Sequence, residues 1–347
     1  MAELPFFGLD IGSANIKIVQ LARDGEKNKL VSFGLIASPP RGISSDSDFD
    51  LEALAKTIEK IHKDAKVSTD QVVLSLPESK IFTRVITDMP VLSDDELASA
   101  LPWQAEQYVP IPLKEVTMDW QVIYRPKDVS NPSAKMEVLL VAAPNTVINK
   151  YMKVLKMANL RPVAVETEII ALARSLVGNN PYSPTTLIVN LGAQTTDLSI
   201  VRVGAISFTR SIATGGTALA RAVAQELGFE LPQAEEYKKT YGLDEAKLEG
   251  KISEAIRPVF EIIVNEVKRA LVYYQERHSD DTVKRVVLSG GSAKLPNVAV
   301  YIASALGLEV QVGDPWFNIE KDQRITQMLA EDAPYYAVAC GLALKEI

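Results

Sequence analysis

The chain has 347 residues, 47% hydrophobic and 23% charged, with a net charge of −7. That length predicts two domains of ordinary globular composition, which excludes a disordered or fibrous chain. The negative balance and the lack of a basic block exclude general nucleic-acid binding, and two histidines are too few for a histidine-built metal site or a Ser-His-Asp triad.

The lone Cys340 lies in an apolar, small-residue run, so it reads as a buried thiol and no internal disulfide is possible. No stretch approaches 18 apolar residues, and the N-terminus lacks the basic start and apolar run of a signal peptide. The expected setting is cytoplasmic.

In chain order, apolar runs predict a three-strand meander over 6–9, 16–21 and 30–36, with a loop at Asp24 and Gly25. Asp50 is expected to cap an amphipathic helix over 51–65, and 72–76 reads as a buried strand. Ser93 and Glu96 form a capping box before a helix carrying Leu97, Leu101, Trp103 and Tyr108, which should stop before Pro110 and Pro112. Strands over 116–124 and 136–142 flank a polar turn at 127–135, and Asn145 starts a helix that runs to 160.

The second half repeats the meander. A strand over 186–190 leads through a hairpin to a strand over 206–212 and a helix over 218–227. A charged helical segment at about 230–262 precedes a long helix over 256–276, a strand over 285–288, a helix over 296–306 and an Ala-rich helix over 334–344. These elements divide the chain into a first domain (1–85), an α/β insert (86–160), a connecting helix (161–182), a second domain (183–230 and 263–333), a helical subdomain within it (231–262) and a closing helix (334–347).

Two turns carry the chemistry. In the first, Gly12 permits close backbone approach, Ser13 and Asn15 offer donors beside Ala14, and Lys17 supplies charge for terminal phosphates. Asp10 stands where a carboxylate holds the water shell of Mg²⁺. In the second, Gly192, Gln194, Thr195 and Thr196 repeat the donors, with Asp197 at the base of the next strand. An ordinary tight hairpin is the alternative for each; the repetition favours two related domains facing a cleft.

The strand-to-helix turn Ser289, Gly290, Gly291, Ser292 is a third place of close approach, or a plain Gly-Gly turn. Glu235 and Lys238 share a helix face, either as a surface ion pair or as contacts to ribose and adenine. Glu166 and Glu168 are alternate residues of an extended stretch, so both can face the cleft or form an exposed pair beside a helix start.

In this order the motifs resemble the actin-like ATPase superfamily: two phosphate motifs, an adenosine motif at 289–292 and two connecting helices, at 166–173 and 337–344. The resemblance implies actin-like (ribonuclease H-like) duplicated domains around a nucleotide cleft, with ATP and Mg²⁺ as ligands. It implies nucleotide contacts from the two turns, from Gly215 and Gly216, from Glu235 and Lys238, and from Gly290, Gly291 and Ser292. Asp10 and Asp197 would meet the metal through water, and Glu166 and Glu168 are the candidate catalytic carboxylates.

A small insert in the first domain is the arrangement of FtsA. The segment from Ser93 through Trp103-Gln104-Ala105-Glu106-Gln107-Tyr108-Val109-Pro110-Ile111-Pro112-Leu113 is similar to the PilM family of type IV pilus assembly. That family implies a cytoplasmic ATP-binding scaffold, peripheral to the inner membrane because it holds the N-terminal peptide of the membrane protein PilN between insert and first domain. Other platform proteins and the assembly ATPase are implied partners, and self-association stays open. Tyr108 and Ile111 are the candidate groove residues; Leu101 and Trp103 either support the groove or pack the insert core.

Asn190 departs from the superfamily, whose hydrolysing members place an aspartate there near the metal. Weak or absent hydrolysis is therefore expected. The rival readings are an FtsA-like division filament, which usually has an amphipathic C-terminal helix beyond the point where this chain stops, and a small-molecule kinase, which needs a base in the cleft.

Overall fold

The computed structural model describes residues 2–3, 6–25, 27–126, 134–178, 180 and 182–346. Most of the turn expected at 127–135 therefore lies outside the described residues.

The first domain begins with β1 (Ala2–Glu3), β2 (Phe7–Ile11), β3 (Asn15–Asp24) and β4 (Lys27–Ala37), followed by α1 (Asp48–Asp64) and β5 (Gln71–Leu76). β2 is buried along its length, the pattern of a strand covered on both faces. α1 buries Leu51, Leu54, Ile58 and Ile61 against this sheet. Its N-cap is Ser47, not Asp50. Asp50 sits inside the first turn, where its carboxylate accepts a hydrogen bond from Ser45 Oγ at 2.5 Å and meets the positive end of the helix.

The insert comprises β6 (Phe82–Pro90), α2 (Asp94–Ala105), β7 (Val116–Tyr124) and β8 (Lys135–Pro144). β8 is the centre of a three-stranded antiparallel sheet, paired to β6 and β7. The Ser93–Glu96 capping box forms in both directions. The sheet starts at Phe82, four residues ahead of the expected boundary. α3 (Asn145–Met157) leaves the insert, because Tyr151, Val154 and Leu155 pack with Ile58 in the first-domain core.

A strand absent from the sequence reading, β9 (Arg161–Thr167), joins β5 in parallel, and then α4 (Glu168–Leu176) begins. The apparent connecting helix at 161–182 is thus half strand. Pro162 hides the strand because it withholds an N–H, which a sheet tolerates at its edge.

The second domain contains β10 (Thr186–Leu191), β11 (Thr196–Arg202), β12 (Ala205–Ile212), α5 (Gly216–Leu227), α6 (Leu231–Tyr241), α7 (Lys251–Arg277), β13 (Arg285–Ser289), α8 (Val298–Leu306) and β14 (Glu309–Val312). β15 (Ile319–Glu320) returns to β4, and α9 (Thr326–Ala343) closes the fold. The strand order β12-β11-β10-β13-β14 repeats the first domain's β4-β3-β2-β5-β9. Each half is an antiparallel meander extended by two parallel strands.

α7 is one helix despite Pro258, starting five residues before the expected 256. Ile252, Ile256, Phe260, Ile263, Val267, Ala270 and Tyr274 recur at helical spacing, and their burial offsets the lost hydrogen bond. α9 likewise carries Pro334 internally and starts eight residues before the expected 334.

α4 and α9 pack together between the two sheets, in a core shared with Val73, Ile188 and Val287. Their backbones nearly touch: a Cβ on Gly341 would lie 1.9 Å from the Ala171 carbonyl oxygen. Ser175 Oγ donates to the Ala337 carbonyl at 2.7 Å. Cys340 is fully buried in this helix. Among the described residues no helix is long and apolar enough to cross a membrane.

Candidate functional site: a cleft between two phosphate-type turns

The first turn is built by the β2–β3 register, which sets Asp10 directly opposite Lys17. Their side chains form an ion pair at 2.8 Å, with Asp10 only 4% exposed. Gly12 N–H donates to the Asn15 carbonyl, and Ser38 pins the loop from outside, its N–H on the Ala14 carbonyl and its Oγ on the Gly12 carbonyl. Ser13 and Ala14 stay exposed at the tip. Lys17 is therefore not free: Asp10 holds its ammonium over the turn.

The second turn repeats this frame, with Asn190 opposite Asp197. A Cβ on Gly12 or on Gly192 would come within 2.8 Å of the carbonyl oxygen three residues on, so both turns need glycine at the same place. Gln194 is exposed and Thr195 half-buried, its Oγ1 donating to Asp197 Oδ2 at 3.2 Å. Thr196 differs from the expectation. It is fully buried, and its hydroxyl donates to the Thr214 carbonyl at 2.8 Å, so it braces the turn and is no open phosphate donor.

Behind the second turn, the N–H groups of Gly216 and Thr217 donate to the Gly192 and Ala193 carbonyls. A Cβ on Gly215 would strike both of those oxygens, and one on Gly216 would meet Ser292 Oγ. Lys238, 3% exposed, donates to the Gly216 carbonyl at 2.9 Å and to Glu235 at 2.7 Å. Burial pushes the Lys238 ammonium below its ordinary pKa. Glu235, Lys238, Gly215, Gly216, Gly192 and Ser292 thus converge, and the Glu235–Lys238 pair is an internal tie between α6 and α5 as well as a cleft wall.

Gly290 packs against Asn190 and Leu191 of the second turn, and its N–H donates to the Pro334 carbonyl. Gly291 abuts the Tyr335 ring, over which Lys294 lies at 5.2 Å. Tyr335 was missed in the sequence, since a tyrosine after an internal proline gives no signal of its own.

The two candidate catalytic carboxylates part company. Glu166 is held by Arg174 at 2.6 and 2.9 Å and by Lys345 at 2.9 Å, and Arg174 also donates to the Gly341 carbonyl. It fastens α4 to the end of α9 and is not available for chemistry. Glu168, the first residue of α4, is half-buried between the two turns. Burial, then the charges of Asp10 and Asp197, push its carboxyl well above the ordinary range, and Lys17 pulls the other way. Burial likewise raises Asp197, against hydrogen bonds from Ser211 and Thr195. Glu168 therefore feels both turns at once. No three acidic, histidine or cysteine side chains among the described residues form a preassembled metal cage.

Sequence reading also missed Glu78, in the turn Glu78–Lys80 between β5 and β6. Burial, with the Asp197 charge, pushes its carboxyl up to about 7. It borders a cavity of about 280 Å³ where the first domain, the insert and the second domain meet, also lined by Ile81, Arg84, Tyr108, Val109 and Thr209. Of the insert candidates, Leu101 is 1% exposed and belongs to the insert core. Trp103 is 73% exposed and therefore not a core residue. Ile111 packs half-buried on that core, and Tyr108 alone reaches the cavity, with the Arg84 guanidinium over its ring at 5.0 Å.

Comparison with known proteins agrees with this fold. FtsA of Escherichia coli K12 is 23% identical, aligned over 96% of this chain and 88% of its own. MreB5 of Spiroplasma citri, solved bound to AMPPNP, superposes with a TM-score of 0.53 at 15% identity, over 97% of this chain and 94% of its own. The fold is actin-like. A structure described as the PilM-PilN type IV pilus biogenesis complex superposes with a TM-score of 0.86 at 26% identity, covering 98% of both chains. The family profile described as type IV pilus assembly protein PilM matches residues 8–347, so the chain belongs to that family.

Proposed function

We propose that this chain is a cytoplasmic, ATP-binding scaffold of the type IV pilus inner-membrane platform that binds the N-terminal peptide of PilN. The observation that carries the nucleotide half is the pair of matched turns, Gly12 to Lys17 and Gly192 to Asp197, meeting at Glu168. A nucleotide there has exposed loop donors on both sides and the glycine floor beside Glu235 and Ser292.

Mg²⁺ fits the donor set without a cage. Among the described residues the carboxyl groups of Asp10, Glu168 and Asp197 gather near Lys17, and a hydrated Mg²⁺ needs only one or two carboxylates besides phosphate oxygens. Once bound, it would neutralise phosphate charge. Asp10 and Asp197 would hold it through water, after Lys17 turns from Asp10 to the phosphates.

The peptide half rests on family membership and on the cavity at Tyr108. An extended peptide gains affinity from its backbone N–H and C=O groups, and pockets for alternate side chains select it. Docking there would tether the scaffold to the membrane through PilN. Other platform proteins, the assembly ATPase and further copies of the chain are partners this reading leaves open. Co-elution of the protein with a labelled N-terminal PilN peptide in MgATP tests the proposal. A peptide that runs separately from folded protein would contradict it.

A further inference from the structure

Glu78 stands where three parts of the molecule meet. Its turn belongs to the first domain, leads into the insert through β6, and touches the second domain: Thr209 Oγ1 of β12 donates to Glu78 Oε1 at 3.2 Å. Its other oxygen, Oε2, is buried beside the Thr83 hydroxyl, which favours the charged form but makes no well-aligned hydrogen bond to it. Both residues line the 280 Å³ cavity. A buried carboxylate oxygen left unmatched costs free energy until a donor reaches it.

The same strand leads to the nucleotide cleft. Thr209 and Ser211 are alternate residues of β12 and so share a face. Ser211 Oγ donates to Asp197 Oδ1 at 2.5 Å, in the second phosphate-type turn. One strand face therefore holds a cavity carboxylate at one residue and a cleft carboxylate two residues on.

Resting on the function proposed above, we infer that Glu78 couples the two sites: an N–H donor of the peptide seated in the cavity engages Glu78 Oε2, and MgATP at Asp197 strengthens that contact. Asp197 and Glu168 oppose the Glu78 charge from the cleft, while the Thr83 and Thr209 hydroxyls favour it. A hydrated Mg²⁺ held at Asp197 relieves the like-charge opposition. Glu78 is then a better acceptor for the peptide. Linkage makes the effect reciprocal, so peptide tightens MgATP by the same factor.

The test is a binding cycle at pH 7 with a labelled N-terminal PilN peptide, read by fluorescence anisotropy with and without MgATP. The wild type is expected to bind peptide about fivefold or more tightly with MgATP, and the gain should vanish when EDTA removes the metal. In Glu78→Gln, which keeps shape and removes charge, peptide affinity should change less than about twofold on adding MgATP. Thr209→Val, which removes the donor across the domain boundary, should shrink the gain in the same way and serves if Glu78→Gln fails to fold. Wild-type-sized coupling in the folded variants, or none in wild type that binds both ligands, overturns the inference alone. Failure of wild type to bind either ligand overturns the proposed function and the coupling with it.

Discussion

At the scale of single residues, Lys17 carries the heaviest assignment. It is the one cation of either turn, and Asp10 holds it at 2.8 Å. A charge-assisted hydrogen bond is worth about 1.5–3 kcal/mol, or about ten- to a hundredfold in affinity. Lys17→Ala should weaken ATP binding by that factor in calorimetry, and it should also lower stability, because Asp10 stays buried without its partner. Equal affinities in wild type and variant would remove Lys17 from the phosphate site.

Glu78 makes a second residue-scale prediction. Its carboxyl lies near 7 in the folded chain against an ordinary 4.5. Between those values the folded state binds more protons than the unfolded one, so this residue's contribution falls as pH rises. Relative to Glu78→Gln, the wild type should lose roughly 3 kcal/mol between pH 4.5 and 7 and change little above pH 8. Thr83, Thr209, Asp197 and Glu168 act on this group, Arg84 and Arg210 line the same cavity, and all are common to both proteins, so the difference isolates it. Urea midpoints that run parallel across this range would contradict the assignment. Which residues the sequence reveals follows from their surroundings. Glycines and carboxylates inside a local turn announce themselves, whereas Glu78, Tyr335 and the Arg174–Glu166–Lys345 cluster depend on partners far along the chain. Thr196 was misjudged for the same reason, since Thr214 claims its hydroxyl.

At the scale of elements, periodicity located most helices and both meanders. Prolines spoiled the boundaries: Pro162 concealed β9, while Pro258 and Pro334 lie inside helices that tertiary burial carries through them. The contact between α4 and α9 is the element-scale feature that sets how the two domains meet. Gly341→Ala would drive a methyl into the Ala171 carbonyl, 1.9 Å away, and force the helices apart. Overpacking of this kind costs about 1–3 kcal/mol, and the expected reading is a lower urea midpoint. A midpoint equal to wild type would mean the helices slide apart at no cost.

For the molecule as a whole, the duplicated strand order explains why two short turns so far apart in sequence face one cleft. Asn190 sits at the second turn where a carboxylate would add metal-directed charge, and Glu166 is tied up elsewhere, which leaves Glu168 with its carboxyl raised. Steady phosphate release should therefore stay well below about 1 s⁻¹, the low end of ordinary enzyme turnover. Release at or above that rate would make the protein an enzyme first and a scaffold second.

The most direct test of the central claim is a calorimetric titration of an N-terminal PilN peptide into the MgATP-loaded protein, in wild type and in Tyr108→Asp. Tyr108 lines the cavity without belonging to the insert core, so the variant should fold and still bind MgATP. The account predicts saturable one-to-one binding to the wild type and a loss of tenfold or more in the variant, as expected for removing an aromatic anchor that the peptide would cover, worth about 1.4 kcal/mol or more. Peptide binding of equal strength to both would contradict the placement of the groove, and no binding to the ATP-loaded wild type would contradict the scaffold itself.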